Sequence, residues 1–477
     1  MSNRSNIIFP LVLGTLMAGL DSSIVNVSLP IMRTQFNAGL DDIQWVITAY
    51  MISFCVFMPL TSWLKKRIGY FDLYIGSLTI FTIGSLLCGL APSLPLLIGA
   101  RVIQAIGGGA ITPTAMAILS DTFPKKKLGS VMGWWSLGTV LGPAIGPTLG
   151  GILTQYFGWP TIFYINVPIG IFAIWLAASS LSFLRNQPIE KPRFDTRGFI
   201  LLSTFILLLQ YFLSILAKDG LTTLRIWISI AGAGTALFLF IRSAKRSEPL
   251  LDLSIFKSRV FVTCIFITII RSIALFGGLF LLPFLLQGIL GYSEVQSGLI
   301  MLINSIMIAI FTPLSGKHSD KHGPRNICLL GISLLSLSMF LFSRAGIIGL
   351  LWAAILPMIV RGAGLGLIIS PITSTVLNSV QPQQSPTASS VYSLMQQLSG
   401  SVGIAITAMI HQFIFTFYLN KGKPTITAEH FAIQDGFVIA SVLVAIALIF
   451  AARLPKITLP SNLPPEKNEE LLKEGIV

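Results

Sequence analysis

Apolar stretches of about 20 residues recur along the whole of this 477-residue chain. A helix of that length crosses the hydrocarbon core of a bilayer, and lipid offers no hydrogen-bond partner to an unpaired backbone. The composition agrees with this, because a mean hydropathy of +0.82 with 10% charged residues is too apolar for a soluble domain. The sequence therefore predicts an all-α integral membrane protein.

The apolar pattern predicts fourteen spans, arranged as two six-helix bundles with an inserted two-helix hairpin. The spans lie at 7–32, 45–64, 73–91, 96–120, 129–153, 161–184, 198–217, 224–241, 260–288, 295–315, 326–343, 347–371, 388–417 and 434–452. The predicted units are the N-terminal bundle at 1–184, the hairpin with its linkers at 185–258, the C-terminal bundle at 259–453 and a tail at 454–477. Without the hairpin, twelve spans would remain, and the number of spans would still be even.

Lysine and arginine are concentrated in alternate loops, for example at 65–67 and 125–127. The opposite loops hold only Arg33, Lys218, Arg225, Arg344, Lys421 and Lys423. Because basic loops remain in the cytoplasm, both termini are expected on that side. The net charge of +14 does not indicate a nucleic-acid partner, since the basic residues sit in short loops between spans.

Two loop segments suggest an internal repeat. The segment 59–69 begins with Pro-Leu, is basic and ends at Gly69, and the segment 313–323 has the same features and ends at Gly323. Each joins the second and third span of a six-span block. Parallel repeats of this kind suit a transporter whose substrate site lies at the membrane midplane.

Motifs of soluble enzymes are missing from the sequence. It contains no phosphate-binding loop of the ATP-driven pumps, no metal-ligand spacing and no nucleophile motif. We therefore expect a non-enzymatic protein without metal or cofactor, driven by an ion gradient or by the gradient of its own substrate.

Four charged residues lie deep within predicted spans: Asp21, Arg101, Arg271 and Arg361. A charge in lipid is costly, so each is a functional candidate. Asp21 is the only carboxylate well inside a span, and we predict that it carries a coupled proton. Asp21 and Arg271 are expected to face each other across a central cavity. The alternative is a fixed Asp–Arg pair that only joins helices.

Other residue patterns mark helix contacts and a cavity. Glycines at four-residue intervals in the fifth span predict close packing on a neighbouring helix. Polar residues in the spans are candidates for the cavity, with helix–helix hydrogen bonding as the alternative for each. These candidates, together with Arg271 and Arg361, are Asn26, Gln104, Gln287, Asn304, Gln396 and Gln397.

Several motifs resemble those of the major facilitator superfamily, in particular its fourteen-span drug:proton antiporters (the EmrB/QacA type). Segment 20–30, which contains Asp21, is similar to the first-span motif, and segment 101–107 is similar to the fourth-span motif. Segment 159–168 is similar to the entry of the sixth span. The residues that resemble the fifth-span exporter motif are Gly142, Pro143, Gly146, Pro147, Gly150 and Gly151.

The resemblance implies a major facilitator fold in which Asp21 takes part in proton coupling and Arg101 assists it. It also implies that the cytoplasmic loop motifs gate the cavity. The first loop departs from the pattern, with Ser62 and Lys66 where the family has Gly and Asp. The predicted gating residues are therefore Gly69, Gly316, Asp320, Gly323 and Arg325, and the acid of the gate is Asp320.

The predicted function is proton-driven export of small amphiphilic drugs or metabolites by alternating access. Three intramembrane arginines against one acid favour neutral or anionic substrates. The alternatives are a proton-coupled importer of an organic anion or nutrient, and a sensor or scaffold that transports nothing. The expected location is the cell (inner or plasma) membrane. The expected partners are the bilayer, protons and a small-molecule substrate, with the protein as a monomer, with or without a periplasmic adaptor.

Overall fold

A computed structural model describes residues 5–456, except 39, 44, 186–188, 191, 220–222, 245–248, 293 and 349–351. Within these residues the chain is helical and no strand occurs. The helices are α1 Ser5–Gln35, α2 Leu40–Ile43, α3 Trp45–Phe57, α4 Leu60–Gly89, α5 Leu94–Thr122, α6 Leu128–Phe157, α7 Thr161–Tyr164, α8 Asn166–Ser180, α9 Thr196–Asp219, α10 Leu224–Ser243, α11 Arg259–Pro283, α12 Glu294–His322, α13 Arg325–Ile348, α14 Trp352–Asn378, α15 Ser385–Asn420 and α16 Thr425–Ala451. The predicted all-α class is confirmed.

The described chain contains thirteen helices that are long and apolar enough to cross a bilayer. The predicted second span is divided, because α3 ends at Phe57 and the chain resumes as α4 after Pro59. Within α4, Gly69 has φ +80° and ψ 170°, which is not helical. It therefore separates 60–68, which continues the second span, from 70–89, which forms the third. The protein is accordingly a multi-pass membrane protein.

The two loop glycines of the internal repeat have the same backbone conformation. Gly69 has φ +80° and Gly323 has φ +79°. A side chain is disfavoured at such positive φ, so glycine permits a sharp reversal between successive spans in both halves. The match in conformation agrees with the repeat seen in the sequence.

The helices pack into two groups that meet through α6 and α12. In the first group α1 packs on α6, and α5 packs on both α3 and α4. In the second group α14 packs on α12 and α13, and α15 packs on α11. The hairpin of α9 and α10 packs against α3 of the first group and α15 of the second.

The linkers on either side of the hairpin are fastened to the bundles. Asp195 accepts hydrogen bonds from the N–H groups of Gly198 (2.8 Å) and Leu250 (3.2 Å), and so joins the two linkers. The first linker also reaches α4, where the Trp63 indole N–H donates to the Pro192 carbonyl over 3.4 Å. The hairpin is thus held by contacts with the bundles as well as by its peptide connections.

The second linker is fixed to the C-terminal group through Asp252. This carboxylate accepts from the Ser254 N–H at 2.9 Å and from Gln384 Nε2 at 2.9 Å. Burial alone would raise the pKa of Asp252, but the hydrogen bonds from Ser254 and Gln384 outweigh it, so the pKa lies below its ordinary value.

Candidate functional site

Asp21 is fully buried in the middle of α1 and forms an ion pair. Its Oδ2 lies 2.6 Å from Nη1 of Arg101, which projects from α5 and is 1% exposed. A buried ion pair is retained only with good geometry and further hydrogen bonds, because both charges have lost their water. The surroundings of the pair supply those bonds.

Two amides complete the shell of Asp21. Gln104 Nε2 donates to Oδ1 at 2.8 Å, and Asn166 Nδ2 donates to the same oxygen at 3.0 Å. Gln104 Nε2 also donates to Ser85 Oγ at 2.7 Å. Arg101, Gln104 and Asn166 thus all donate to Asp21, which suits an ionised carboxylate because that group only accepts.

Arg101 is held on the opposite side by the backbone and aromatic rings. Its Nε donates to the Val46 carbonyl at 3.2 Å, and Nη1 also donates to Gln104 Oε1 at 2.6 Å. The guanidinium lies 3.9 Å from the centre of the Tyr50 ring and 5.5 Å from that of Phe163. Cation–π contacts of this kind stabilise a desolvated guanidinium.

The regularly spaced glycines of α6 set the position of α1. A Cβ atom on Gly138 would lie 2.6 Å from the Val12 carbonyl oxygen, and one on Gly142 would lie 2.6 Å from that of Leu16. Gly146 and Gly150 meet Ser23 and Ile24 in the same way. The glycines therefore allow backbone contact between α6 and the helix that carries Asp21.

The prolines and the last glycine of the exporter motif are more exposed, although Pro143 also contacts α1, where a Cβ on Gly19 would lie 3.0 Å from its Cδ. Pro143 and Pro147 are exposed and Gly151 is half-buried. Although both prolines lack a backbone donor, α6 is continuous from Leu128 to Phe157.

A second group of polar residues lies in the C-terminal bundle. Arg361 is fully buried in α14, where Nη1 donates to Asn304 Oδ1 at 3.2 Å and Nη2 donates to the Leu275 carbonyl at 2.8 Å. Arg271 in α11 is 3% exposed, and neither its Nε nor its Nη2 has a hydrogen-bond partner. The predicted facing of Asp21 and Arg271 is therefore corrected, because the carboxylate is paired with Arg101 within its own bundle.

The other predicted cavity residues are more scattered. Asn26 lies one turn beyond Asp21 on α1, is exposed and bonds only weakly to its own helix, over 3.4 and 3.5 Å. Gln396 and Gln397 are half-buried in α15. The side chain of Gln287 lies outside the described residues.

The predicted gating acid, Asp320, joins the two bundles. Its carboxylate accepts from the Gly129 and Ser130 N–H groups, both at 2.8 Å, at the first turn of α6. Such N–H groups have no partner within their helix, and the helix dipole favours an anion there. Gly316 packs against the Gly129 backbone, which brings α12 and α6 into direct contact.

The first loop forms no ion pair with the other bundle among the residues that the structure describes. Lys66 lies 3.9 Å from Glu190 of the linker, and both side chains are largely exposed. Ser62, at the position that departs from the family pattern, instead shares a 2.8 Å hydrogen bond with Thr387. Arg325 is half-buried at the start of α13.

Hydrogen bonds between the two bundles, where the structure describes them, lie at the ends of the helices that carry the basic loops. Besides Asp320, the pairs are Thr61 with Ser390, Ser62 with Thr387, Ser120 with Ser385, Lys125 with the Asn378 and Val380 carbonyls, the Asn378 amide with the Lys125 carbonyl, and Ser370 with the Gly129 carbonyl. One further bond, from Ser393 Oγ to Met116 Sδ, lies about two turns inside α15. The positive-inside rule predicts that this side is cytoplasmic. The two bundles are therefore in contact on the side of the basic loops.

Sequence reasoning overlooks part of the Asp21 shell. Asn166 reads as one of many helix contacts, although its place in the sixth-span motif is a usable signal. Ser85 carries no such signal, because small polar residues are common in spans. The Tyr50 hydroxyl is buried beside Arg101 without a hydrogen-bond partner.

Comparison with known proteins decides the family. The sequence pattern described as Major Facilitator Superfamily matches residues 11–404. The chain belongs to this superfamily. Its members are transporters, so the expectation of a non-enzymatic membrane transporter is met at the level of the family.

Curated relatives of this superfamily member include several named transporters. The chain is 30% identical over 429 residues to the uncharacterized MFS-type transporter YhcA of Bacillus subtilis, covering 90% of this chain and 80% of the relative. It is 30% identical to the riboflavin transporter RibZ of Clostridioides difficile, and the match covers 94% of this chain and 97% of RibZ. It is 32% identical to the multidrug export protein EmrB of Escherichia coli, and the match covers 83% of this chain and 78% of EmrB.

Solved structures support the fold of this superfamily member. The proton:xylose symporter XylE is similar with a TM-score of 0.60 at 13% identity, covering 94% of this chain and 96% of the other. The human organic anion transporter MFSD10 is similar with a TM-score of 0.61 at 15% identity, covering 94% and 99%. At this identity the likeness concerns the fold alone.

Proposed function

We propose that this protein is a proton-driven exporter, an antiporter of small amphiphilic molecules that works by alternating access. The observation that carries the proposal is the buried ion pair of Asp21 and Arg101 within a shell of donors. An ionisable group inside the membrane is costly and usually serves transport. The similarity to EmrB, a multidrug export protein, supports the same direction of transport.

Protonation of Asp21 supplies the switch. Protonation removes the charge of Asp21, and with it the attraction to Arg101 and the strength of the bonds from Gln104 and Asn166. Protonation therefore breaks the match between Asp21 and Arg101 and loosens α1 from α5. The present conformation, closed toward the cytoplasm, fits the ionised form.

The gate then responds to the state of Asp21. Opening toward the cytoplasm requires Asp320 to leave the first turn of α6 and Gly316 to separate from Gly129. Proton movement down a membrane potential provides roughly 2.3 kcal/mol per charge for each 100 mV. That energy is comparable with the contribution of one hydrogen bond to a charged group.

Uptake is the second candidate, because the relative RibZ is named a riboflavin transporter. A proton-coupled importer would use the same ion pair with the opposite direction of substrate flux. For either direction we propose a location in the cell membrane, the division into bundles at 1–184 and 259–453, and action as a monomer with or without an adaptor.

Proton movement in liposomes tests the proposal. Purified protein is reconstituted with a trapped pH indicator, and riboflavin, ethidium and 1-naphthoate are each applied as a gradient. We expect at least one compound to drive protons in the opposite direction. Asp21→Asn should abolish that proton movement yet still exchange the compound across the membrane. The matched control is Asp42→Asn, at an exposed acid in α2, which should behave as wild type.

The same assay separates the alternatives. Retention of coupled proton movement in Asp21→Asn would refute the role of Asp21. Proton movement in the same direction as the compound would identify an importer. Failure of a broad panel of compounds to move protons would favour the sensor or scaffold.

A further inference from the structure

The two arginines of the C-terminal bundle have no carboxylate partner among the described residues. Arg361 is fully buried, yet its hydrogen bonds go to neutral acceptors, the Asn304 side chain and the Leu275 carbonyl. Its Nε has no partner, and neither do Nε and Nη2 of Arg271. Asp21 cannot balance these charges because it is engaged by Arg101.

Arg361 of α14 reaches α11 close to the position of Arg271. Leu275, whose carbonyl accepts from Arg361, is one helical turn from Arg271, a rise of about 6 Å. A buried charge without a counterion is expensive, and two neighbouring ones are more so. This part of the bundle is therefore incomplete without an anion.

An apolar cavity is lined in part by Gly278, which is a neighbour of Arg361. It has a volume of about 200 Å³ and lies between α11, α15 and α16. Gly277 and Gly278 form part of its wall on α11, and Thr407 contributes on α15. The surface of the cavity is mostly apolar, so it suits a hydrocarbon or aromatic group.

Gly278 connects the cavity with the arginine. A Cβ at this position would lie 3.3 Å from Nη2 of Arg361 and 3.7 Å from its unpartnered Nε. Because glycine has no side chain, nothing from residue 278 separates the guanidinium from the cavity wall. Gly278 thus lies beside both the apolar space and the charged group.

We propose that this site binds an amphiphilic monocarboxylate, which is the cargo of the exporter. The carboxylate accepts from Arg361, with Arg271 adding positive potential, and the apolar body occupies the cavity of α11, α15 and α16. The proposal rests on the proposed transport function, and it defines the substrate class of that function.

Equilibrium binding tests the site without requiring transport. The protein is placed in nanodiscs of phosphatidylcholine, and the binding of 1-naphthoate is compared with that of 1-naphthylmethylammonium, a cation of similar shape. We expect saturable binding of the carboxylate and none of the cation. Arg361→Met should weaken naphthoate binding by about tenfold to a hundredfold, the effect of losing hydrogen bonds from a charged donor.

Gly278→Leu is a second variant that leaves both arginines in place. Its Cβ would lie 3.3 Å from Nη2 of Arg361 and 3.4 Å from the end of the Met339 side chain, so the leucine crowds the guanidinium beside the cavity. Binding should fall at least tenfold, whereas the control Gly234→Leu in α10, where a Cβ meets nothing within 4 Å, should bind as wild type. Unchanged affinity in Gly278→Leu or in Arg361→Met would overturn the proposal, as would equal binding of the cation.

A lipid headgroup offers the same chemistry and is distinguished in a separate arm. Nanodiscs that contain phosphatidylglycerol should bind naphthoate as well as those of phosphatidylcholine. A lipid site would give two results together: no naphthoate binding in phosphatidylcholine discs, and phosphatidylglycerol that is retained by wild type but lost from Arg361→Met. These results would overturn the proposal.

The outcomes also separate the site from the proposed function. Naphthoate binding without coupled proton movement would refute antiport and leave the site intact. Coupled movement of ethidium without naphthoate binding would refute the site and leave antiport intact.

Discussion

The coupling between Asp21 and Arg101 can be measured as a free energy with a double-mutant cycle of Asp21→Asn and Arg101→Gln. In Asp21→Asn the new side chain has one oxygen that accepts and one NH₂ group that donates, whereas the carboxylate accepted on both oxygens. Its NH₂ group must therefore face other donors, either Arg101 or the amides of Gln104 and Asn166. Removing one partner of a buried ion pair costs about 3–5 kcal/mol, because the other charge is left without compensation. Each single variant should lose stability in that range.

The double variant removes both charges and should recover part of the loss. The neutral amide introduced by Arg101→Gln cannot reproduce the cation–π contact with Tyr50 or the bond to the Val46 carbonyl, so wild-type stability should not return. We expect a coupling energy of about 2–3 kcal/mol, at the upper end for contacting residues. Equilibrium unfolding by increasing fractions of a denaturing detergent, followed by circular dichroism, provides the measurement.

A neutral pair between α1 and α6 is the control. Ser28 and Thr154 share a buried 2.6 Å hydrogen bond there. The cycle of Ser28→Ala and Thr154→Val should give about 0.6 kcal/mol, which is typical of such bonds in membranes. If the losses of Asp21→Asn and Arg101→Gln add to within about 0.5 kcal/mol, the two residues are not coupled and the reasoning fails.

Three further predictions concern the gate, the helix contact and the linker. In Asp320→Asn only one oxygen remains to accept from two helix N–H groups, so the contact between α12 and α6 should lose about 1.5–3 kcal/mol of free energy. The two bundles should then separate more often on the cytoplasmic side. A cysteine introduced by Ser390→Cys should then react at least tenfold faster with a cytoplasmic maleimide; an unchanged rate would show that Asp320 does not hold the gate. Gly142→Ala should lower the free energy of unfolding by about 1–3 kcal/mol, since its Cβ would press on the α1 backbone. The control Gly76→Ala meets open space and should change this free energy by no more than about 0.5 kcal/mol. Equal stabilities of the two variants would contradict close packing of α6 on α1. The lowered pKa of Asp252 means that its stabilising bonds are present above pH 3.8 and are lost as the pH falls through the lowered value. Thermal stability of Asp252→Asn should therefore fall below wild type at pH 6 and converge with it in acid; a difference that persists at the lowest pH would exclude this titration.

The span pattern could be predicted because it depends on local hydropathy, whereas helix ends depend on packing. The last predicted span begins at residue 434, yet α16 begins at Thr425, because polar residues continue the helix beyond the apolar run. Glu429 in that extension lies 3.2 Å from His411 of α15, a contact between helices that sequence alone does not reveal. The division between α3 and α4 at Pro59 is missed for a similar reason, since the apolar run continues through it.

The site was predictable where a residue type is rare in a membrane. Asp21 and Arg101 stand out because charges in spans are few, and the structure brings them together. Ser85 and Asn166 are common residue types in spans, so their role depends on the angles at which α4 and α8 approach α1. The pairing of Asp21 with Arg101 rather than Arg271 is likewise a matter of helix arrangement, which the spacing of charges along the chain does not specify.

The continuous helix α6 gives the protein a lever. Its glycines at 138–150 lie against the helix that carries Asp21, and its first turn holds Asp320 at the proposed cytoplasmic gate. Gly129 and Gly146 are separated by about 25 Å along the axis. A tilt of roughly 10° of the joined α1 and α6 would therefore displace the gate by about 4 Å, which exceeds the reach of a hydrogen bond. A small rearrangement around one carboxylate is thus geometrically sufficient to open a distant contact, without any bend in the helix between them.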